Sequence, residues 1–288
     1  MKKHSIIGLI PAGGKATRIS PLPLSKELYP VGFRGDRDIE INNQTKNQTN
    51  NQNNNQNNNQ NNNQNHLRPK VVSHYLLEKM QLAGIDKAYF ILRSGKWDIP
   101  GYFGDGEMLS MSLGYLIMGV PYGVPFTLDS AYPFVKDAVV ALGFPDILFE
   151  PKDAFLKILK RLKNSNVDVV LGLFPTDKPQ KAGMVDFNDN GKVISIIEKP
   201  YQSNLRFMWG IAVWNPKFTE FLHEYLINIK QDVNLPNLPE IPIGNVIQTA
   251  ISKGLKVEAE AFENGSYLDI GTPDDLIRAV RGFADDFE

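Results

Sequence analysis

The 288-residue chain contains no cysteine. That excludes disulfides, thiolate metal sites and cysteine nucleophiles, and it is the usage a reducing compartment permits. Histidine is scarce. His4, His66, His74 and His223 are scattered, with neither metal-ligand spacing nor a nucleophile beside them. No Gly-x-Ser-x-Gly elbow occurs, which argues against a serine hydrolase. An excess of either charge is missing too: 31 Lys plus Arg face 32 Asp plus Glu, for a net charge of -1. No general field therefore draws nucleic acid or an anionic membrane, and any phosphate binding must come from a local site. Long apolar runs are absent, whereas a membrane helix needs roughly twenty such residues. The run Ile6 to Ile10 behind Met1-Lys2-Lys3 is too short for a signal peptide and is broken by Pro11-Ala12-Gly13-Gly14. The expectation is a soluble, cytoplasmic protein without nucleic-acid or membrane partners; homo-oligomerisation is left open.

What is abundant is local. From Asn42 to Asn65 the sequence is almost purely Asn and Gln. Such a stretch has nothing to bury against the entropy of being ordered, so it is expected to be disordered. Asn/Gln runs can self-associate as β-structure. The simpler reading is an insertion tolerated in a surface loop, because loops lengthen at little cost. Val31-Gly32-Phe33 before it and Arg68-Pro69-Lys70 after it are expected to rejoin. On this reading residues 1–288 form a single domain and residues 42–65 interrupt it.

Elsewhere strand and helix patterns alternate. Ser5 to Ile10, Lys87 to Leu92, Leu109 to Met118, Ala138 to Phe144 and Val167 to Phe174 read as strands. Helical stripes run through Val71 to Met80, ended by Gly84, and through Thr127 to Lys136 and Ala154 to Leu162. Later, Asn188-Asp189-Asn190-Gly191 signals a hairpin, Met208 to Trp214 a strand, Asn215-Pro216 and Thr272-Pro273 helix starts. Gly244 to Lys253 reads as a helix and Lys256 to Phe262 as a strand. The alternation predicts an α/β fold, a three-layer Rossmann-like sandwich with a mixed, mostly parallel sheet, to which the second half adds an antiparallel region.

The first strand runs straight into Gly13-Gly14-Lys15-Ala16-Thr17-Arg18, with Lys26 further on. Glycines let backbone N–H groups approach an anion, and Arg and Lys add a fork and a point charge. It is not a Walker loop, and the third glycine of a dinucleotide fingerprint is missing. On this evidence alone the loop is either a phosphate grip or a tight turn with solvated cations. Asp146 follows a buried strand, at the edge where open α/β sheets place ligands. It also suits a turn, and Asp269 likewise suits the cap of the helix starting at Thr272. Glu198-Lys199 reads by default as a surface ion pair, and Trp209 and Trp214 as core.

The stretch from Ile10 to Gly32, IPAGGKATRISPLPLSKELYPVG, resembles the signature of the sugar-1-phosphate nucleotidyltransferase family. That signature is roughly L-A-G-G-x-G-T-R, then a proline, then a lysine before L-x-P. Gly13, Gly14, Thr17, Arg18, Pro21, Lys26 and Pro30 match it, while Ala16 replaces the usual glycine and stiffens the loop. Arg68-Pro69-Lys70 through Ala83-Gly84-Ile85, Tyr122-Gly123-Val124-Pro125, Phe144-Pro145-Asp146, Gly183-Met184-Val185, Glu198-Lys199-Pro200 and Leu268-Asp269-Ile270-Gly271-Thr272 continue the likeness.

The resemblance implies a nucleotide-diphospho-sugar transferase type of fold and a reaction joining an NTP, dTTP or UTP in the short members, to a sugar 1-phosphate. It implies catalytic roles for Arg18 and Lys26, and nucleotide binding by Gly13, Gly14, Lys15, Thr17 and Gly123. Gly183, Glu198 and Lys199 would bind the sugar phosphate, and Asp146 and Asp269 would hold Mg2+. So few residues follow Asp269 that the C-terminal β-helix of adenylyl and acetylglucosamine relatives is not expected. A catalytically silent binding protein on the same fold is the alternative reading.

Overall fold

The computed structural model describes residues 5–35, 67–119, 122–232 and 240–284. The Asn/Gln tract lies outside them. Strand β1 (Ile6–Ala12) leads through the glycine loop and a single 3-10 turn (Lys26–Leu28) to β2 (Pro30–Gly35). β3 (Leu67–Val71) then pairs antiparallel with β2, Gly35 opposite Leu67 and Phe33 opposite Pro69. The chain thus rejoins across the tract as expected.

Helix α1 (Val72–Leu82) follows β3 without a loop. It ends at Gly84, whose φ of +78° suits glycine. The Ile85 N–H reaches the Met80 carbonyl and the Gly84 N–H the Gln81 carbonyl, satisfying the last turn. Then come β4 (Lys87–Arg93), the short α2 (Asp98–Phe103) and β5 (Ser112–Met118). β5 starts three residues later than the apolar pattern predicts. Glu107–Leu109 forms a 3-10 turn bracketed by Gly106 and Ser110, both in the left-handed region. The expected helix between residues 127 and 136 is two pieces, α3 (Val124–Asp129) and α4 (Tyr132–Val135), because Pro133 has no N–H to continue the ladder.

β6 (Val139–Leu142), β7 (Ile147–Glu150), α5 (Ala154–Asn164) and β8 (Val169–Pro175) complete the first half. The second contains the hairpin β9 (Gly183–Phe187) and β10 (Val193–Glu198), then β11 (Phe207–Trp214) and α6 (Pro216–Asp232). α7 (Ile243–Ser252), β12 (Val257–Ala261), β13 (Ser266–Asp269) and α8 (Pro273–Ala284) close it. Both predicted helix starts are capped: Asn215 Oδ1 accepts the Lys217 N–H at 3.0 Å, and Thr272 Oγ1 accepts that of Asp275 at 3.3 Å.

Among the described residues the main sheet has nine strands, in the order β10-β9-β11-β6-β1-β4-β5, with β8 joined to β11 and β12 to β8. The pairs β6-β1, β1-β4, β4-β5 and β8-β12 are parallel, while β11 runs against each neighbour. Period-two alternation sends Val140, Leu142, Leu171 and Trp214 to a core shared with α3, α4, α6 and α7. The intervening Ala141, Val170 and Val213 join Leu76, Met80, Phe103 and Phe155 of α1, α2 and α5 on the other face. The sheet is therefore buried between two helical layers, as the continuous apolar runs predicted.

Candidate active site

The carboxyl ends of β1, β4 and β6 open on one edge of the sheet, and the charged residues gather there. The 3-10 turn points Lys26 at Asp146, and its Nζ donates to Asp146 Oδ2. Asp146 follows β6 and enters β7, which pairs with β13 so that Ile147 stands opposite Asp269. The Ile270 N–H also bonds the Asp146 carbonyl at 3.0 Å. Asp146 and Asp269, far apart in sequence, are thereby adjacent in space. Arg18 reaches Asp269 Oδ2 at 3.7 Å. It passes over Gly271, where a Cβ would lie 2.6 Å from the guanidinium.

The electrostatics are those of a crowded pair of acids. Burial, then the charge of Asp146, pushes the Asp269 carboxyl above its ordinary range, against the pull of Lys26 and Arg18. Its Oδ1 is buried and has no hydrogen-bond partner among the described residues. Burial alone would lower Lys26, yet the Asp146 ion pair, aided by Asp269 and Glu27, holds it above its usual value. Two adjacent carboxylates, one with an unsatisfied buried oxygen, suit a hard divalent cation such as Mg2+. Among the described residues no cluster of three or more potential ligands occurs. Any such ion would take its remaining ligands from substrate and water.

Two cavities, each of about 400 Å³, flank this cluster. The first is lined by Asp269, Gly183, Glu198 and Lys199, with Trp209 and Tyr267 in its wall. Glu198 is held from several sides. Trp209 Nε1 donates to its Oε1 at 3.3 Å. A Cβ on Gly183 or Gly244 would come within 2.7 and 1.8 Å of the same oxygen, so only glycine leaves it room. Burial raises the Glu198 carboxyl, offset by the Trp209 bond and Lys199. Lys199 is exposed at the cavity and sits at φ +48°. Glu198-Lys199 is therefore no plain surface ion pair.

The second cavity is lined by Gly14, Lys15, Ser25, Lys26, Arg93, Lys96 and Asp98, among others. Gly14 is exposed, with open space where a side chain would be. Gly13 is buried beside Met118. Thr17 is exposed and lines neither cavity. Gly123 packs against Glu240 and Ile241 in the wall of the first cavity. Of the residues expected to bind nucleotide, Gly14 and Lys15 line the second cavity, whereas Gly13, Thr17 and Gly123 line neither; Lys26 lines the second cavity and Asp269 the first, with Asp146 adjacent to both residues.

Sequence reasoning passed over several members of this site. Glu27 and Lys96 form a buried pair at 2.5 Å. Burial raises the Glu27 carboxyl despite Lys96, and its Oε2 has no partner among the described residues. The rule that singled out Asp146, a charge at the end of a buried strand, applies equally to Arg93, the last residue of β4, and to Lys96 just beyond it. Trp209 and Tyr267 gave no signal, since an aromatic on an apolar strand reads as core.

Comparison with known proteins finds a family and a fold that the chain shares. The sequence model of the family described as Nucleotidyl transferase matches residues 67–286. Low-salt glycan biosynthesis nucleotidyltransferase Agl11 of Haloferax volcanii is 25% identical over 73% of this chain and 56% of its own length. The chain thus spans little more than half of that relative. Glucose-1-phosphate thymidylyltransferase of Neisseria meningitidis is 21% identical over 95% of this chain and 81% of its own. A UTP-bound UGPase from Acinetobacter baumannii superposes with a TM-score of 0.70 at 17% identity, covering 98% of this chain and 94% of that one, a likeness of fold. With the family match extending over most of its sequence, the chain belongs to the nucleotidyl transferase family.

Proposed function

We propose that the protein transfers a nucleoside monophosphate from an NTP to a sugar 1-phosphate. An oxygen of the sugar phosphate attacks the α-phosphorus, a new P–O bond forms, and the α–β bond breaks to release pyrophosphate. The substrate supplies its own nucleophile, so the protein's task is alignment and neutralisation of charge. The observation that carries this reading is the Lys26–Asp146–Asp269–Arg18 cluster lying between two cavities. One cavity is rimmed by the glycine loop and cations, the other by carboxylates, aromatics and the cations Lys178, Lys181, Lys199 and Arg278.

In this reading Lys26 and Arg18 balance charge on the α-phosphate and departing pyrophosphate, with Gly14 and Lys15 beside the phosphates. Glu198 accepts from a sugar hydroxyl, and Lys199 binds the sugar phosphate near Gly183. Asp146 and Asp269 would hold Mg2+, which neutralises phosphate charge when bound. The relatives named above favour dTTP or UTP and a hexose 1-phosphate. The lack of cysteine fits a cytoplasmic setting, and among the described residues no helix is long and apolar enough to cross a membrane.

The test is pyrophosphate release across a grid of NTPs and sugar 1-phosphates with Mg2+. At least one pair should turn over, and Lys26→Ala should lower that turnover about 100-fold or more. Binding without release in every combination would favour the silent alternative, and wild-type turnover in Lys26→Ala would remove Lys26 from the reaction.

A further inference from the structure

Lys26 is gripped through both of its chain neighbours by one loop. That loop joins the end of β4 at Arg93 to the start of α2 at Asp98, and it belongs to none of the motifs that carry the family resemblance. On one side, the two carboxylate oxygens of Asp98 hold Ser25. Oδ2 accepts the Ser25 N–H at 2.6 Å and Oδ1 accepts the Ser25 hydroxyl at 2.8 Å. Asp98 is itself fixed at the first residue of α2, where Oδ1 also accepts the Ile99 N–H at 3.1 Å. On the other side, Lys96 donates to Glu27 at 2.5 Å, and Ser73 Oγ donates to the Glu27 carbonyl at 2.6 Å.

The 3-10 turn bearing Lys26 is three residues long, and its N-cap Ser25 makes no capping bond of its own. So short a turn cannot set a side chain by its own ladder. Its orientation has to come from outside, and the paired bonds to Asp98 are the bonds next to Lys26. We propose that Asp98 is a positioning residue for Lys26, holding its nitrogen against the Asp146 carboxylate. Asp98 acts through Ser25 and the backbone and takes no proton or phosphate itself. The catalytic consequence rests on the nucleotidyl-transfer reading; the positioning itself does not.

Two variants separate the grip from the charge. Asp98→Ala removes both bonds. Asp98→Asn can keep both bonds to Ser25 and gives up only the Ile99 bond, because its Oδ1 accepts the Ser25 N–H while its Nδ2 donates to the Ser25 hydroxyl, which reverses its role. The first readout needs no turnover: the rate at which an amine-acylating reagent modifies Lys26, followed by mass spectrometry. Lys26 should be protected in the wild type and in Asp98→Asn, and modified several-fold faster in Asp98→Ala. Equal protection in a folded Asp98→Ala would overturn the proposal whether or not the protein is a transferase.

The second readout is kinetic, on the substrate pair that turns over. Asp98→Ala should lower kcat roughly 10- to 100-fold with KM little changed, as misplacing a catalytic group does. Asp98→Asn should recover most of that loss. In a Lys26→Ala background Asp98→Ala should lower kcat no further, whereas independent, multiplying losses would overturn the proposal. Should Asp98→Ala fail to fold, Ser25→Ala removes the hydroxyl bond alone. It should move acylation and kcat the same way by a smaller factor, and no movement in either would count against the assignment.

Discussion

Ala16 stands at φ +54° in the glycine loop. An L-residue there is strained by about 1–2 kcal/mol, while glycine is at ease. Glycine also loosens the unfolded chain, which returns part of the gain. Ala16→Gly should therefore stabilise the protein by roughly 0.5–1 kcal/mol, measured by urea denaturation, without loss of turnover. His74, buried beside Tyr102 and Phe103, gives the clearest dependence on pH. Burial, then the charges of Arg34 and Lys70, lowers its pKa from 6.5 to about 3. Because the folded value lies below the unfolded one, the unfolded chain takes up this proton first. Stability is lost as pH falls from 6.5 toward about 3, at about 1.4 kcal/mol per pH unit. His74→Phe should be shallower by that slope in urea titrations between about pH 6 and pH 4; parallel curves would show that His74 does not titrate there.

At the scale of elements, caps carry measurable weight. Asn215 closes the first turn of α6 and also donates to Asp168 and to the Val167 carbonyl. Asn215→Ala should cost about 1 kcal/mol, a few degrees of melting temperature. The elements that sequence periodicity exposed are those with buried, repeating faces, such as β1, β4, β8 and α1. What it missed is equally specific. β7 and β13 are only four residues each and exist because they pair with one another. α2 has six residues, with Pro100 in its first turn and Gly101 next, so it offers no repeating stripe. Leu109 is buried and apolar, yet the left-handed Ser110 cuts it from β5. Pairing partners and single backbone angles leave no period in a sequence.

For the whole molecule, the same division holds in the site. Arg18, Lys26, Asp146, Asp269, Glu198 and Lys199 were legible because each stands at the end of a readable strand or in a motif. Glu27, Lys96 and Asp98 became members only when the loop after β4 folded against the turn after β1. The β2–β3 ribbon is the other whole-molecule feature. Its Val31 packs with Val72, Leu148, Ile270 and Ala279 in a small core of its own, which ties the ribbon to β7 and α8. The register at Gly35 and Leu67 leaves residues 36–66 as a connection between paired strands. Replacing them with a four-residue turn shortens that connection by about three halvings, worth roughly 2 kcal/mol in closure entropy. Thermal melts should show a gain of up to that size, with activity kept; an inactive or aggregated product would give the tract a role.

The β7–β13 pairing also sets an order in time. A ribosome makes Asp146 well before it reaches Asp269, and until then β7 lacks its partner strand. Until residues 266–269 emerge, a nascent chain lacks its second carboxylate, and Arg18 lacks the partner it reaches in the folded protein. Translation that stalls before that point yields a product carrying one acid of the two, which, on the proposed reading of Asp269, should not turn over the nucleotides around it.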